Sequence, residues 1–101
     1  MPNEDLLGSF EQLILLALVR LREDAYGMSV RREVEQRTGR SVSLGAVYAT
    51  LDRLEAKGYV TSRQGAPTPE RKGRAKRFFR IESSGLGALE HALQALSLIH
   101  I

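Results

Sequence analysis

Apolar residues recur at helical spacing in the first quarter of the chain. The main apolar face repeats every three or four residues and is formed by Phe10, Leu13, Ile14, Ala17, Leu18 and Leu21. Ser9 is predicted to cap this first helix, and Gln12 completes a capping box. Because Leu15, Leu16 and Val19 lie off the main face and are also apolar, a second side of the helix is expected to be buried. In so small a domain that second side needs another subunit, so these three residues are predicted at a dimer interface.

A second helix is predicted from the next periodic segment. Tyr26, Val30 and Val34 recur there at four-residue spacing. Asp24 is the predicted cap at its start, and Gly39 is predicted to take the left-handed conformation after its end.

A third helix follows after a short turn, which is the arrangement of a helix-turn-helix. Ser43 is its predicted N-cap, and Gly58 is predicted to close it in a left-handed conformation. The apolar stripe of this helix is formed by Leu44, Val47, Leu51 and Leu54.

Two strands and a last helix are predicted in the remainder of the chain. Residues 59–63 and 76–81 are β-prone, and the loop between them contains Pro67 and Pro69, so a hairpin with a long tip is expected. Ser83 or Ser84 is predicted to cap the fourth helix. Its leucines step by three and four residues, as in the seam of a coiled coil. This seam is predicted at the dimer interface and consists of Leu86, Leu89, Leu93 and Leu96.

Composition narrows the class of protein. A chain of 101 residues with 43% hydrophobic residues fits one globular domain. The absence of cysteine excludes disulfides, thiolate metal sites and a cysteine nucleophile. The longest apolar run covers residues 13–19, whereas a membrane helix needs about 20 residues. We therefore expect a soluble cytoplasmic protein.

Positive charge is concentrated in residues 63–80. This segment holds seven of the fifteen basic residues and one acidic residue, for a net charge of +6, against +3 for the whole chain. Such a cluster is either a solvated loop or an arm that binds phosphate.

The order of the elements predicts a mainly α fold with a small β-hairpin, a winged helix-turn-helix followed by a dimerisation helix. Residues 1–82 form the predicted DNA-binding domain, and residues 83–101 form the dimerisation helix. Small residues opposite the stripe of the third helix would let it approach base edges closely. The predicted DNA contacts are Ser43, Gly45, Ala46, Ala49, Thr50 and Arg53 on this helix, and Arg71, Lys72, Arg74, Lys76 and Arg77 on the wing.

Other readings of the same residues stay open. Tyr48 lies beside the apolar stripe and could be a core-edge residue. Phe78 and Phe79 could stack on bases of single-stranded nucleic acid, although packing under a wing is commoner. A winged-helix module that binds protein rather than DNA is the alternative function. Catalysis is not expected, because His91 and His100 are nine residues apart and no glycine-rich phosphate loop occurs. No metal or cofactor is predicted.

The chain resembles the PadR-like transcriptional regulators. The resemblance is carried by Tyr26-Gly27, by residues 43–58 (SLGAVYATLDRLEAKG), by residues 73–81 (GRAKRFFRI) and by Gly85. It implies a bacterial homodimeric DNA-binding regulator, usually a repressor, with Tyr48 near the DNA backbone and the last helix paired across the dimer. It also implies a small aromatic or drug-like effector at the dimer interface. The chain has no tryptophan and no evident ligand cage, so the effector is either absent or weakly bound.

Overall fold

A computed structural model describes residues 7–66 and 76–99, with side chains described as far as residue 96. Four α-helices and one antiparallel hairpin make up this part of the chain, together with a short 3-10 turn. The elements are α1 (Ser9–Leu21), a 3-10 turn (Arg22–Asp24), α2 (Gly27–Thr38), α3 (Leu44–Ala56), β1 (Val60–Gln64), β2 (Arg77–Ile81) and α4 (Ser83–Ile99). The predicted mainly α winged-helix architecture is therefore confirmed.

The start of α1 differs from the predicted capping box. Gly8 occupies the N-cap position, and its N–H donates to Oε1 of Glu11 at 2.9 Å. Ser9 is already helical, and the side chain of Gln12 donates instead to the Leu7 carbonyl. The assignment of Ser9 and Gln12 to the cap is wrong by one residue, because an acidic side chain satisfies the exposed N–H better than an amide.

The start of α2 also differs from the prediction. Asp24 ends the 3-10 turn, and Tyr26 is the N-cap residue. The hydroxyl of Ser29 accepts from the Tyr26 N–H at 2.9 Å and donates to the Asp24 carbonyl. The extended residues before the helix lie along β2, where the Phe79 N–H donates to the Ala25 carbonyl at 2.8 Å. The prediction that Asp24 caps α2 is wrong, because this strand-like pairing keeps residue 25 extended and the helix begins further along the chain.

The turn between α2 and α3 is confirmed at both ends. Gly39 has a left-handed backbone with φ of 72°, and its N–H donates to the Glu35 carbonyl. The hydroxyl of Ser43 accepts from the Ala46 N–H at 3.0 Å and so caps α3. Gly58, with φ of 82°, follows the end of α3 in the left-handed conformation that favours glycine.

The hairpin pairs Val60 with Ile81 at one end and Gln64 with Arg77 at the other. Because side chains alternate along a strand, Phe79 enters the core while Phe78 and Arg80 lie on the outer face. The predicted strand positions are correct to within one residue.

The first turns of α4 are attached to the segment that joins α3 to β1. Ser84 donates to the Gly58 carbonyl at 2.7 Å, and a Cβ on Gly85 would overlap the Tyr59 carbonyl oxygen. The Glu82 carbonyl accepts the first helical hydrogen bond, from Leu86. Ser83 and Ser84 are therefore inside the helix, and the prediction that one of them caps it is wrong.

The hydrophobic core lies where α1 meets α2, α3, α4 and the hairpin. Its buried apolar members are Ile14, Leu15, Ala17, Leu18, Ala25, Val30, Val34, Val47, Leu51, Leu54, Val60, Phe79 and Leu89. Leu15 is 0% exposed and Leu89 is 4% exposed within a single chain. Both are therefore core residues of the single chain. Their predicted place at a dimer interface stays a prediction, which this burial does not support.

Within residues 7–66 and 76–99, the helices lack the combination of length and apolar character that a bilayer span requires.

Candidate nucleic-acid interface

One face of α3 is exposed and carries small side chains. Gly45, Ala46 and Ala49 are exposed on it, and Ser43 is exposed at its N-terminal end. A Cβ placed on Gly45 would meet no atom within 4 Å, so the surface around it is open. Because its side chains are small and exposed, this face could approach base edges closely in the DNA major groove.

Thr50 does not belong to this exposed face. Thr50 is only 2% exposed, and its hydroxyl accepts a hydrogen bond from Nη2 of Arg53 at 3.2 Å. Thr50 is therefore buried beside the apolar stripe. Its predicted contact with DNA stays a prediction, which this burial does not support.

Arg53 is the basic residue in the last turn of α3. Its side chain is 58% exposed, and its Nε lies 3.8 Å from Oε2 of Glu11. The hydrogen bond to Thr50 and the charge of Glu11 orient the guanidinium while leaving much of it accessible. Glu11 was not anticipated as the partner, because it lies on α1 and only the fold brings it beside α3.

Glu11 joins the start of α1 to the end of α3. Its Oε2 accepts from Nζ of Lys57 at 3.0 Å, and its Oε1 accepts from the Gly8 N–H. Burial alone would raise the pKa of Glu11, but the Gly8 N–H, Lys57 and Arg53 together lower that pKa below its usual 4.5. Glu11 is therefore an ionised anchor beneath the exposed face of α3.

Tyr48 is half-buried at the boundary between core and surface. Its ring lies 6.4 Å from the Phe79 ring, centroid to centroid, and its hydroxyl end lies against the backbone of Gly27. It is thus a core-edge residue in its packing, and its predicted contact with the DNA backbone stays a prediction.

The wing is described only in part. Arg71, Lys72 and Arg74 fall outside the described residues. Lys76 places its Nζ 4.0 Å from the centroid of the Tyr26 ring.

Arg77 is engaged within the chain. Its Nη2 donates to Glu55 at 2.7 Å, and its Nη1 lies 3.3 Å from Oδ1 of Asp52. Ser62 donates to the other oxygen of Glu55, so α3 is linked to both strands of the hairpin. Arg77 therefore links the wing to α3. Its predicted role as a clamp for flanking phosphates stays a prediction, which this engagement does not support.

The two phenylalanines of β2 have different environments. Phe79 is buried in the core and so presents no face on which a base could stack. Phe78 is half-buried and packs edge-to-face with Tyr26 at 5.6 Å, with the guanidinium of Arg63 5.0 Å from its ring centroid. The geometry agrees with packing of both residues in the wing.

The sequence from Leu15 to His91 decides the family. Residues 15–91 match the model of the "Transcriptional regulator PadR-like family". The chain belongs to the PadR-like family. PadR-like proteins are DNA-binding transcriptional regulators rather than enzymes, and this chain is one of them.

Solved structures agree with the PadR-like fold. A candidate transcriptional regulator from Thermoplasma acidophilum is 26% identical with a TM-score of 0.75, and the match covers 90% of this chain and 84% of that one. A PadR family regulator from Clostridium difficile is 22% identical with a TM-score of 0.76, and the match covers 92% of both chains. A PadR-like regulator from Bacillus cereus is 22% identical with a TM-score of 0.73, covering 90% of this chain and 84% of that one. No curated protein matches the chain.

The PadR-like chain exposes apolar side chains on α4 and α1. Leu86, Leu93 and Leu96 are between 41% and 44% exposed, and Val19 is 39% exposed. Leu16 is half-buried at the edge of the core. The described chain therefore leaves three of the four seam leucines, together with Val19, uncovered.

Proposed function

We propose that this PadR-like protein is a homodimeric repressor that binds a pseudo-palindromic operator in double-stranded DNA. The observation that carries the proposal is the exposed α3 face, where Gly45 and Ala49 leave room for base edges and Arg53 offers an oriented guanidinium. An arginine so placed can bond to a phosphate or to the O6 and N7 atoms of guanine.

The proposed contacts follow the length of α3 and continue onto the wing. Ser43 would dock on the DNA backbone, and Gly45, Ala46 and Ala49 would face the groove. Tyr48 would lie close to the backbone. Lys76 and the basic residues of the wing tip would add phosphate contacts. Thr50 and Arg77 are left out, because the first is buried and the second is bonded to acidic residues.

We assign the two parts of the chain different roles. Residues 1–82 would bind DNA, and residues 83–101 would pair with a second copy of the chain. Support for the dimer comes from the exposed leucines of α4, since apolar side chains at heptad spacing gain from burial against a partner helix. In such a dimer the two α3 helices would lie about 34–36 Å apart, one turn of DNA.

Selection from a pool of random DNA duplexes at two salt concentrations tests the proposal. Enrichment of an inverted repeat, with affinity that falls steeply as salt rises, is the expected result. Salt-sensitive binding without an enriched sequence would mean that the protein coats DNA non-specifically. Failure to bind at either salt concentration would favour the protein-interaction module instead.

A further inference from the structure

A cluster of aromatic and basic side chains lies where the start of α2 meets the base of the wing. We refer to this cluster, consisting of Tyr26, Arg32, Arg63, Lys76 and Phe78, as the aromatic–cation patch. Lys76 and Arg32 lie over the Tyr26 ring, at 4.0 and 6.0 Å from its centroid, and Arg63 lies over the Phe78 ring. The two rings pack edge-to-face against each other. Three cations from α2, β1 and the approach to β2 are thereby held on one surface.

The backbone explains why these residues meet. Tyr26 and Phe78 form an isolated antiparallel bridge, so the residue before α2 lies beside β2. Arg63 is paired with Phe78 across the hairpin. Since Phe79 points into the core, its neighbour Phe78 points outward and carries the patch to the solvent side of the sheet.

The three cations of the patch differ from most other basic residues of the described chain in having no acidic partner there. Within residues 7–66 and 76–96, seven basic side chains form ion pairs, and Arg53, Lys57 and Arg77 are among them. Five do not, and three of those five are Arg32, Arg63 and Lys76. Among the residues that the structure describes, basic side chains without an acidic partner are therefore concentrated at the patch.

The Tyr26 hydroxyl is oriented by this charge. It accepts a hydrogen bond from Nη2 of Arg32 at 3.1 Å, which leaves its own proton available for donation to an acceptor. The hydrogen bond from Arg32 lowers the pKa of Tyr26 below 10.0 despite partial burial, and the charge of Lys76 lowers it further. The patch therefore offers an anion both positive charge and a hydroxyl donor.

The patch is continuous with the proposed DNA interface. Tyr26 is followed by Gly27, and Tyr48 of α3 lies directly on that glycine. A DNA backbone passing Tyr48 would therefore run toward the start of α2 and the base of the wing.

We propose that the aromatic–cation patch binds a phosphate group of the DNA backbone, separately from the α3 face and the wing tip. Arg32 and Lys76 supply the positive charge, and the Tyr26 hydroxyl donates a hydrogen bond to a phosphate oxygen. Arg63 extends the same surface toward the next phosphate. This inference rests on the proposed function, because it assumes that duplex DNA is the ligand.

The experiment measures binding of the full chain to a fluorescent random-sequence duplex at 50 and 200 mM salt. Each phosphate contact contributes about 0.9 to the slope of log affinity against log salt. The salt-induced loss of affinity should therefore be about three-fold smaller in Arg32→Gln, and likewise in Lys76→Gln, than in the unchanged protein. Tyr26→Phe should bind about three- to ten-fold more weakly, with little change of slope, because it removes a hydrogen bond but no charge.

Arg37→Gln provides the matched control, because it removes the same charge from the last turn of α2, away from the patch. Arg37 is paired with Glu33, and its removal should leave the slope unchanged. Thermal unfolding followed by circular dichroism checks that each variant is folded. If Arg32→Gln does not fold, the weaker binding expected of Tyr26→Phe decides the question, because Lys76 is also one of the phosphate contacts of the proposed function.

Two negative outcomes are distinguishable. If the unchanged protein binds with a steep salt dependence and a folded Arg32→Gln keeps that slope, the patch does not hold phosphate, whatever the slope of Lys76→Gln. If the unchanged protein does not bind duplex DNA, the proposed function fails and this inference fails with it.

Discussion

The ring of Tyr48 lies against the backbone of Gly27, and a Cβ atom on that glycine would overlap the ring and its hydroxyl. This contact sets how closely the start of α2 approaches the middle of α3. It also holds the Tyr48 hydroxyl at the edge of the surface proposed to face DNA.

Gly27→Ala is therefore expected to destabilise the fold by about 1–3 kcal/mol, the usual cost of inserting a methyl group into a filled site. Urea unfolding measures the change. Gly45→Ala is the control, because a Cβ there meets no atom within 4 Å, and its stability should be unchanged or higher by up to about 1 kcal/mol. Equal stability of the two variants would contradict the Tyr48 contact.

Glu11→Gln should lower the free energy of unfolding at pH 7 by about 1–3 kcal/mol, because Gly8, Lys57 and Arg53 lose their ionised partner. The folded state lowers the pKa of Glu11 below 4.5, so its stabilisation is present above that pH. The stabilisation is lost as pH falls through the lowered pKa. Urea unfolding from pH 7 to pH 3 should show the two proteins converging.

Glu90→Gln gives the comparison for the pH series. Glu90 is exposed on α4, so its replacement should change stability by less than about 0.5 kcal/mol at each pH. A gap between Glu11→Gln and the unchanged protein that stays constant down to pH 3 would rule out ionisation of Glu11 as its cause.

Glu55→Gln should destabilise the protein by about 1 kcal/mol, a modest value because Glu55 and Arg77 are each more than one third exposed. It weakens the link from α3 to Ser62 and Arg77. Asp52→Asn, which removes only the more exposed partner, should cost less than about 0.5 kcal/mol. Thermal unfolding of both variants tests the order, and a reversal would show that Asp52 is the main attachment.

Leu93→Asp should weaken the proposed dimer while leaving the fold of each chain intact, because Leu93 is exposed in the single chain. Leu89→Ala should instead cost about 2–5 kcal/mol of stability, since Leu89 is in the core. Sedimentation reports the assembly and urea unfolding reports the stability. An unchanged sedimentation coefficient for Leu93→Asp would exclude the seam.

Arg53→Ala should reduce affinity for a selected operator by about 1–3 kcal/mol and should relax specificity at one base pair. Its loss on random DNA should be smaller, since part of the contact would be to a base. Arg37→Ala removes an equal charge from a distant position and should preserve the sequence preference. Equal losses for Arg53→Ala on both DNAs would restrict the role of Arg53 to holding phosphate.

Local signals predicted the boundaries of α3 well. Ser43 and Gly58 act through their own backbone conformation and through hydrogen bonds to residues close by in sequence, so the pattern of residue types is sufficient to find them. The cap of α2 was misplaced because the pairing of Ala25 with Phe79 is a long-range contact. No rule based on neighbouring residues contains that information.

The burial of apolar residues was harder to assign than their helical spacing. Leu15 and Leu93 were both predicted at the dimer interface from their spacing. The Leu15 side chain is buried within its own chain, whereas the Leu93 side chain is exposed. The links from Glu11 to Arg53 and from Glu55 to Arg77 were missed for a related reason. Each joins two elements whose relative placement depends on the whole core.

Among the described residues, the attachments of α4 to the winged domain at Ser84, Gly85 and Leu89 all lie in its first two turns. The helix has 17 residues and is therefore about 25 Å long. A rotation of α4 by about 10° about its attached first turns, beside Tyr59, would move its C-terminal end by about 4 Å. In the proposed dimer, substitutions around Gly85 would therefore change the distance between the two α3 helices, although Gly85 itself would not contact DNA.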